Sequence, residues 1–573
     1  MGELLHKWVY FVPALLFVGM LLSKATIFLW WRPRRIEEHF AKQGIRGPPY
    51  RFFIGNVKEI VGLMLKASSQ PMPLSHNILP RVLAFYHHWK KIYGGTFLVW
   101  FGPTARVTVA DPDLIREIFG SKSELYEKNE SHPLVRQLEG DGLLSLKGQK
   151  WAYHRKIITP TFHMENLKLL IPVMGKTVVE LTDKWFYSPS SAGIDGEVEV
   201  EVEVEVEVEV EVEIEIEVEV EVSEWFQTLT EDVITRTAFG SSYEDGKAVF
   251  RLQAQQMVLA AEAFRKVFIP GFRFLPTRQN MSSWKLDREI KTSLVKLIGR
   301  RRKDTPSSVG VDGTGCSPAG PKDLLGLMIG AGPSPATRSP SSSSSSAAAA
   351  ATRITVQDIV EECKTFFFAG KQTTSNMLTW TTVLLAMHTD WQDRAREEVL
   401  QVCGSRDLPT GDHIPKLKTL GMILNESLRL YPPAVATIRR AKADVELGPH
   451  KIPKGTELLI PILAVHHDPA LWGKDAAEFN PGRFVDGVAR AAGHPMAFIP
   501  FGLGARTCIG QNLALLQAKV VLALLLQRFS FRLAPKYRHA PTVLMLLYPQ
   551  HGAPLLFRRL PPHPAQHSAG TPS

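Results

Sequence analysis

Cysteine is scarce in this chain: 573 residues hold four, Cys316, Cys363, Cys403 and Cys508. Their spacing forms no disulfide-like framework, which excludes a cross-linked secreted scaffold and fits a reducing cytosol. Long apolar runs are also rare. One stretch, Trp8 to Trp31, is nearly all apolar, broken mainly by Ser23 and Lys24. It is long enough to cross a bilayer as one helix, and too long for a signal peptide without a small-residue cleavage site. Arg32, Arg34 and Arg35 follow at once, and positive charge after the span places the remaining chain in the cytosol. Gly47, Pro48 and Pro49 then make a stiff link.

Acidic residues are few outside one tract. Glu197 to Val222 alternates Glu with Val or Ile and contributes thirteen negative charges; without them the formal +10 becomes +23. Period two reads as a strand, but closely spaced carboxylates on one face repel. The tract is therefore expected to be a solvated loop between a helix ending near Tyr187 and one beginning near Ser223, and its removal is expected to leave activity intact. Residues 310–351 carry serine and alanine runs and read as a linker, and the stretch 561–573 reads as a frayed tail.

The most specific signal is Phe501 to Gly510, FGLGARTCIG, an F-x-x-G-x-R-x-C-x-G pattern. Five fixed positions match by accident on the order of 10⁻⁴ times in such a chain. Cys508 supplies a thiolate that can ligate a haem iron and push electron density onto it. Helix-forming residues from Gln511 onward put the sulfur near a helix N-terminus, whose amides stabilise negative charge. Gly504 and Gly510 permit tight turns and close approach to a flat cofactor. Phe501 offers an aromatic face, and Arg506 can neutralise a propionate.

A long apolar helix is expected from about Thr355 to Met387. Ala369, Gly370 and Thr373 share one face of it, two small residues one turn before a hydroxyl, which suits a groove for dioxygen. A mid-helix threonine also commonly bonds back to its own helix. Trp151 and Arg155, at i and i+4, present an indole and a guanidinium on one face, and Arg439 is a further propionate candidate with Arg440 beside it. Glu426 and Arg429 lie one turn apart on a helix over Met422 to Leu430. His154, His163 and the pairs His87, His88 and His466, His467 lack a second ligand pattern and read as solvated or structural.

These motifs, in this order, resemble the cytochrome P-450 superfamily of haem-thiolate monooxygenases over nearly the whole chain. The resemblance implies a mainly α fold with a small β-sheet region, preceded by a single N-terminal transmembrane helix. Residues 1–35 would be the anchor and basic stop, and 36–560 one catalytic domain, with sheet segments near Thr96 to Val109 and after Arg439. It implies haem b ligated by Cys508, oxygen chemistry at Thr373, Gln372, Ala369 and Gly370, and a structural triad of Glu426, Arg429 and Arg483. The last lies in Phe479 to Phe484, FNPGRF, where Gly482 replaces the usual acid. Gln372 likewise replaces the usual Asp or Glu; an amide orients water but does not titrate. Electrons would come from NADPH through a membrane reductase, with the chain in the endoplasmic reticulum membrane and its catalytic domain cytosolic. The basic remainder then suits an anionic membrane and an acidic reductase, not nucleic acid.

Pocket walls are expected from residues 134–144, 257–268, 366–373 and 435–438 and from Leu546, largely apolar and suited to a lipid-like substrate. The strings GLLSLKGQKWAYHRKIITPTFHMENL, Gly142 to Leu167, and AGKQTTSNMLTWTTVLLAMH, Ala369 to His388, closely resemble a plant branch, the brassinosteroid-inactivating C-26 hydroxylases; Lys371 with Gln372 belongs to that match. Terminal side-chain hydroxylation of a plant steroid is what this resemblance implies. Oxidation of another plant lipid or terpenoid hormone, a reductase-independent haem-thiolate isomerase or dehydratase, and a haem carrier are the alternatives.

Overall fold

Helix α1, Gly2–Thr26, passes through a widened turn at Ile27–Trp31 into α2, Arg32–Ala41. The computed structural model describes residues 2–129, 133–187, 217–240, 243–264, 275–304, 323–330 and 354–561. Among them one helical stretch, Phe11–Ala41, is long and apolar enough to cross a membrane, with mean hydropathy 2.0. Its exposed Leu15, Leu16, Phe17 and Leu22 face no protein, as a single-pass anchor requires. The Tyr50 hydroxyl donates to the Leu29 carbonyl at 2.6 Å and ties the end of the span to the domain that follows.

That domain is mainly helical. The helices that build its centre are α3, Gly148–Ile158, α4, Ile171–Tyr187, α5, Val222–Phe239, α6, Tyr243–Phe264, α7, Val356–Met387, α8, Lys418–Leu430, and α9, Gln511–Arg528. Helix α7 begins where its sequence says it should: Thr355 and Asp358 exchange side-chain and backbone bonds in a capping box. Its 32 residues cross the core, with Trp380, Val383, Leu384 and Leu385 fully enclosed. Helix α9 is apolar on nearly every side, from Leu513 to Leu526, because α4, α7 and α8 surround it.

A five-stranded sheet closes one end of the domain. Its strands are β1, Leu98–Phe101, β2, Thr104–Thr108, β3, Tyr126–Lys128, β5, Thr437–Ala441, and β6, Glu457–Ile460, in the order β1-β2-β6-β5-β3. A second sheet is formed by β4, Glu217–Glu221, β7, Phe529–Leu533, and β8, Pro554–Arg559, in the order β4-β8-β7.

Strand β4 corrects the expectation for the acidic tract. Its last residues are not a loop: Glu217 to Glu221 pair antiparallel with β8, and Val222 opens α5. Val220 and Val222 turn into the core, while Glu217 meets Arg532 at 2.6 Å and Glu219 meets Lys536. Glu221 accepts from the amides of Ser223 and Ala553. The repulsion between carboxylates is relieved by partners that only the folded chain supplies. Residues 197–216, 310–322, 331–351 and the tail after 561 lie outside the described residues; within the expected linker Leu324–Gly330 is instead a helix whose Leu324, Leu325 and Met328 are buried in the core.

The Glu426 and Arg429 pair is buried completely. Arg429 donates to both Glu426 oxygens at 2.7 and 2.8 Å and to the carbonyls of His466, Ala476 and Glu478. Arg483 reaches Glu426 at 3.2 Å and Asp475 at 2.7 Å. Asp475, not residue 482, supplies the second carboxylate.

Candidate active site

The cysteine loop is shaped by glycine. Gly504 has φ +68°, and a Cβ there would fall 2.2 Å from the Phe119 carbonyl oxygen. The Cys508 amide donates to the Phe501 carbonyl at 2.9 Å, folding the loop back so that the sulfur precedes α9, with Gly510 as its N-cap. Cys363 and Cys403 are buried, whereas Cys508 is accessible. Protein surrounding the recess in which it lies pushes its thiol up; the Gly510 amide, the Arg155 guanidinium and the Gln511 amide pull it back down. Burial, with the Glu398 carboxylate adding to it, sends the Cys403 thiol to about 11.

Phe162 joins this loop to α7. Its ring stacks on Phe366 at 5.6 Å, and a Cβ at Gly510 would lie 3.9 Å from it and 4.0 Å from the Cys508 sulfur. Along α7 the side chains are buried from Ile359 to Phe367 and again from Thr374 to Ala386. Between them Phe368, Ala369, Gly370, Gln372 and Thr373 are half-exposed, while Lys371 is buried. The expected oxygen-handling residues therefore share the half-open stretch in the middle of the helix.

Their individual settings differ from the simplest expectation. Thr373 Oγ1 donates to the Ala369 carbonyl at 2.6 Å. The same back-bonding occurs at Thr379, Thr381 and Thr382, which are fully buried; Thr373 alone of the four is half-exposed. Gly370 makes room for a neighbouring helix: a Cβ there would meet Ile234 of α5 at 2.7 Å. Lys371 turns to α5 as well and pairs with Glu231.

Four cations gather at the other side of the cysteine loop. Arg155 donates to the Thr507 carbonyl at 2.9 Å, and Arg506 stacks 4.2 Å above Trp151 while donating to the Leu146 carbonyl. Arg439 stacks on Phe119 at 4.7 Å. Lys128 faces Arg439 directly across the β3–β5 pair, an arrangement of like charges that is destabilising by itself. Burial, with Arg506 adding to it, lowers Arg439 to about 10. Burial lowers Lys128 to about 8 although Glu139 opposes the shift. Arg440, one residue on, points to the opposite face of the strand, as period two demands.

Helix α3 is pinned to α7 by a buried contact between His154 Nδ1 and Glu362 Oε1 at 2.6 Å and by Lys150 to Asp358 at 2.6 Å. Glu362 also receives the Leu143 amide at 2.9 Å. His466 and His467 are buried against backbone carbonyls, and no cluster of metal-ligating side chains occurs among the described residues. The expected pocket walls meet in part: Val135, Leu138 and Ala260 pack with Met257 and Phe368, and Met545, the neighbour of the expected Leu546, joins them. Residues 265–268 lie outside the described residues.

Sequence reasoning missed Lys128, Glu362, Asp475 and Glu231. Lys128, Glu362 and Glu231 act through partners more than a hundred residues away in the chain, whereas Asp475 lies only eight residues before Arg483. His154 did carry a signal, since it lies on α3 between Trp151 and Arg155.

The cytochrome P450 family profile matches residues 70–556. Cytochrome P450 734A1 of Arabidopsis thaliana is 68% identical over 97% of this chain and 98% of its own length. Cytochrome P450 734A6 of Oryza sativa subsp. japonica is 61% identical over 93% of each. Retinoic acid-bound cyanobacterial CYP120A1 shares the fold, with TM-score 0.64 at 22% identity, covering 82% of this chain and 93% of that one. The chain belongs to the cytochrome P450 family of haem-thiolate monooxygenases, on the plant branch that holds the 734A members.

Proposed function

We propose that this enzyme hydroxylates the side-chain terminus, C-26, of a brassinosteroid and thereby inactivates the hormone. Electrons are drawn from NADPH through a reductase at the endoplasmic reticulum membrane. The observation that carries the haem chemistry is the accessible Cys508 thiol ahead of α9, joined through Phe162 and Phe366 to the half-open stretch in the middle of α7. Identity of 68% to a plant 734A relative and the apolar cluster around Val135, Leu138 and Phe368 support the substrate class.

The residues present fit haem. Lys128, Arg155, Arg439 and Arg506 repel one another and gain from a dianion, which two propionates supply; Trp151 and Phe119 brace the guanidinium planes. Haem held by the Cys508 thiolate supplies dioxygen activation. Arg155 and the Gly510 and Gln511 amides hold negative charge on the sulfur. Thr373 Oγ1, whose proton rests on the Ala369 carbonyl, keeps lone pairs for a water and can rotate to pass that proton toward the reacting face. Gln372 orients the water without titrating. The apolar wall excludes bulk water and presents a hydrocarbon terminus.

The test is turnover of castasterone and related brassinosteroids by the full chain with plant reductase and NADPH, products being identified against a 26-hydroxy standard by mass spectrometry. A reductase-dependent 26-hydroxy product is expected. Its absence from protein with an intact thiolate spectrum overturns the substrate assignment, and product formed from peroxide alone overturns the reductase route.

A further inference from the structure

Arg439 and Arg440 are neighbours in β5 that point to opposite faces, and only Arg439 joins the cations beside Cys508. Arg440 lines a small pocket of about 60 Å³ on the other side of the sheet, with Phe28, Arg32, Thr104, Gly455 and Thr456. The volume holds several waters or one tetrahedral oxyanion. Phe28 and Arg32 come from the end of the apolar span, so the pocket lies where that helix leaves the bilayer and meets the catalytic domain.

Its polar groups lack partners. Among the described residues neither Arg32 nor Arg440 has an ion pair, and Arg440 Nε is buried without an acceptor. Thr456 is 2% exposed, and its Oγ1 is buried without a partner. The carboxylates opposite Arg440 in the sheet are engaged: Glu457 with Arg106 at 2.7 Å, and Glu127 with Lys147 at 3.0 Å. Gly455, at φ +82°, leaves the pocket open; a Cβ there would sit 3.3 Å from Arg32 Nη2. Arg34 stacks on Trp30 at 4.1 Å and takes no part.

Two unpaired guanidiniums and a hydroxyl around one small space match the oxygens of a phosphate, the acceptor that arginine forks bind best. The depth of the pocket, level with Trp30 and Trp31 and the basic stop, is that of the lipid headgroups. We propose that this pocket binds the phosphate of an anionic membrane phospholipid and so locks the anchor to the sheet that carries Arg439. The proposal rests on reading residues 1–35 as a membrane anchor and basic stop.

Dihexanoyl phosphatidic acid, used below its micelle concentration on the detergent-solubilised full chain, tests the pocket without a bilayer. Saturable one-to-one binding is expected in calorimetry. Arg32→Gln and Arg440→Gln should each weaken it at least about tenfold, the worth of one charge-assisted hydrogen bond, while Arg34→Gln leaves it within about twofold. Arg32 lies on an exposed helix, so its variant reports on binding even if the sheet variant folds poorly. Absence of saturable binding, or an equal loss in Arg34→Gln, overturns the proposal. Inorganic phosphate binding as tightly as the lipid overturns the lipid assignment. Flotation of the full chain with phosphatidylcholine vesicles tests the anchor separately; failure to float with the pocket still binding removes the anchor reading and leaves the phosphate site standing.

Discussion

Two arginine clusters in this molecule are built to opposite rules. Around Arg429 every donor is met: Glu426, Asp475 and the carbonyls of His466, Ala476 and Glu478 enclose Arg429 and Arg483. Around Arg439 the cations face each other, with Lys128 directly opposite, Arg506 near enough to lower the pKa of Arg439, and that pKa depressed by burial. A buried charge with all its partners holds the fold. Buried charges that repel cost stability until an anion joins them. The contrast separates scaffold from site without reference to any family.

The largest effect is expected at the satisfied cluster. Glu426→Ala leaves Arg429 buried and uncompensated, and an unfolding free energy lower by about 3–5 kcal/mol is expected in urea denaturation. A loss under about 1 kcal/mol would mean that the carbonyl acceptors carry Arg429 alone. The same kind of cut at the repelling cluster should behave differently. Arg439→Gln is expected to leave the haem-free chain at least as stable as before, since a like-charge opposition of about 0.2–1 kcal/mol is removed. Haem transfer to an acceptor apoprotein should be about tenfold faster or more, the loss of one charge-assisted bond.

How much of this was legible in the sequence depends on where each partner lies. The loop from Phe501 to Gly510 carries its reasons locally, in its glycines and the helix that follows. Helix α7 was legible from Thr355 to Met387 because cap, apolar length and small residues all lie within one segment. Lys128 was not legible, because a lysine in a short strand means nothing until β5 brings Arg439 opposite it. Gly370 reads as a groove residue in sequence, yet the side chain that meets it, Ile234, belongs to α5. The acidic tract shows the same limit, since its period of two is equally compatible with a loop and with an edge strand until Arg532 and Lys536 arrive.

Proton linkage sharpens the comparison at Lys128. Its pKa in the folded chain is about 8 against an ordinary 10.5, chiefly through burial. Between those values the unfolded chain holds a proton that the folded chain has released, so stability rises with pH through that window. The haem-free wild type should therefore gain stability relative to Lys128→Met from pH 8 upward, read as a difference in melting temperature. In haem-loaded protein an anionic neighbour restores the ammonium, and the slope should flatten. An equal slope in both forms would mean that no anion reaches Lys128.

The smallest effect is expected in the acidic tract, where the boundary between charges with partners and charges outside the described residues falls at Glu217. Cutting through Val222 removes β4, two buried valines and the Glu221 acceptor, and belongs with the large effects. Removing 197–216 alone keeps all of these. Shortening a connection changes its closure entropy by only about 0.6 kcal/mol per halving, and it also removes ten mutually repelling glutamates. Melting temperature and brassinosteroid turnover are expected to stay at wild-type values. A fall in either would show that the upstream repeat extends the pairing of β4 beyond Glu217, and the line between the two kinds of charge would have to be redrawn there.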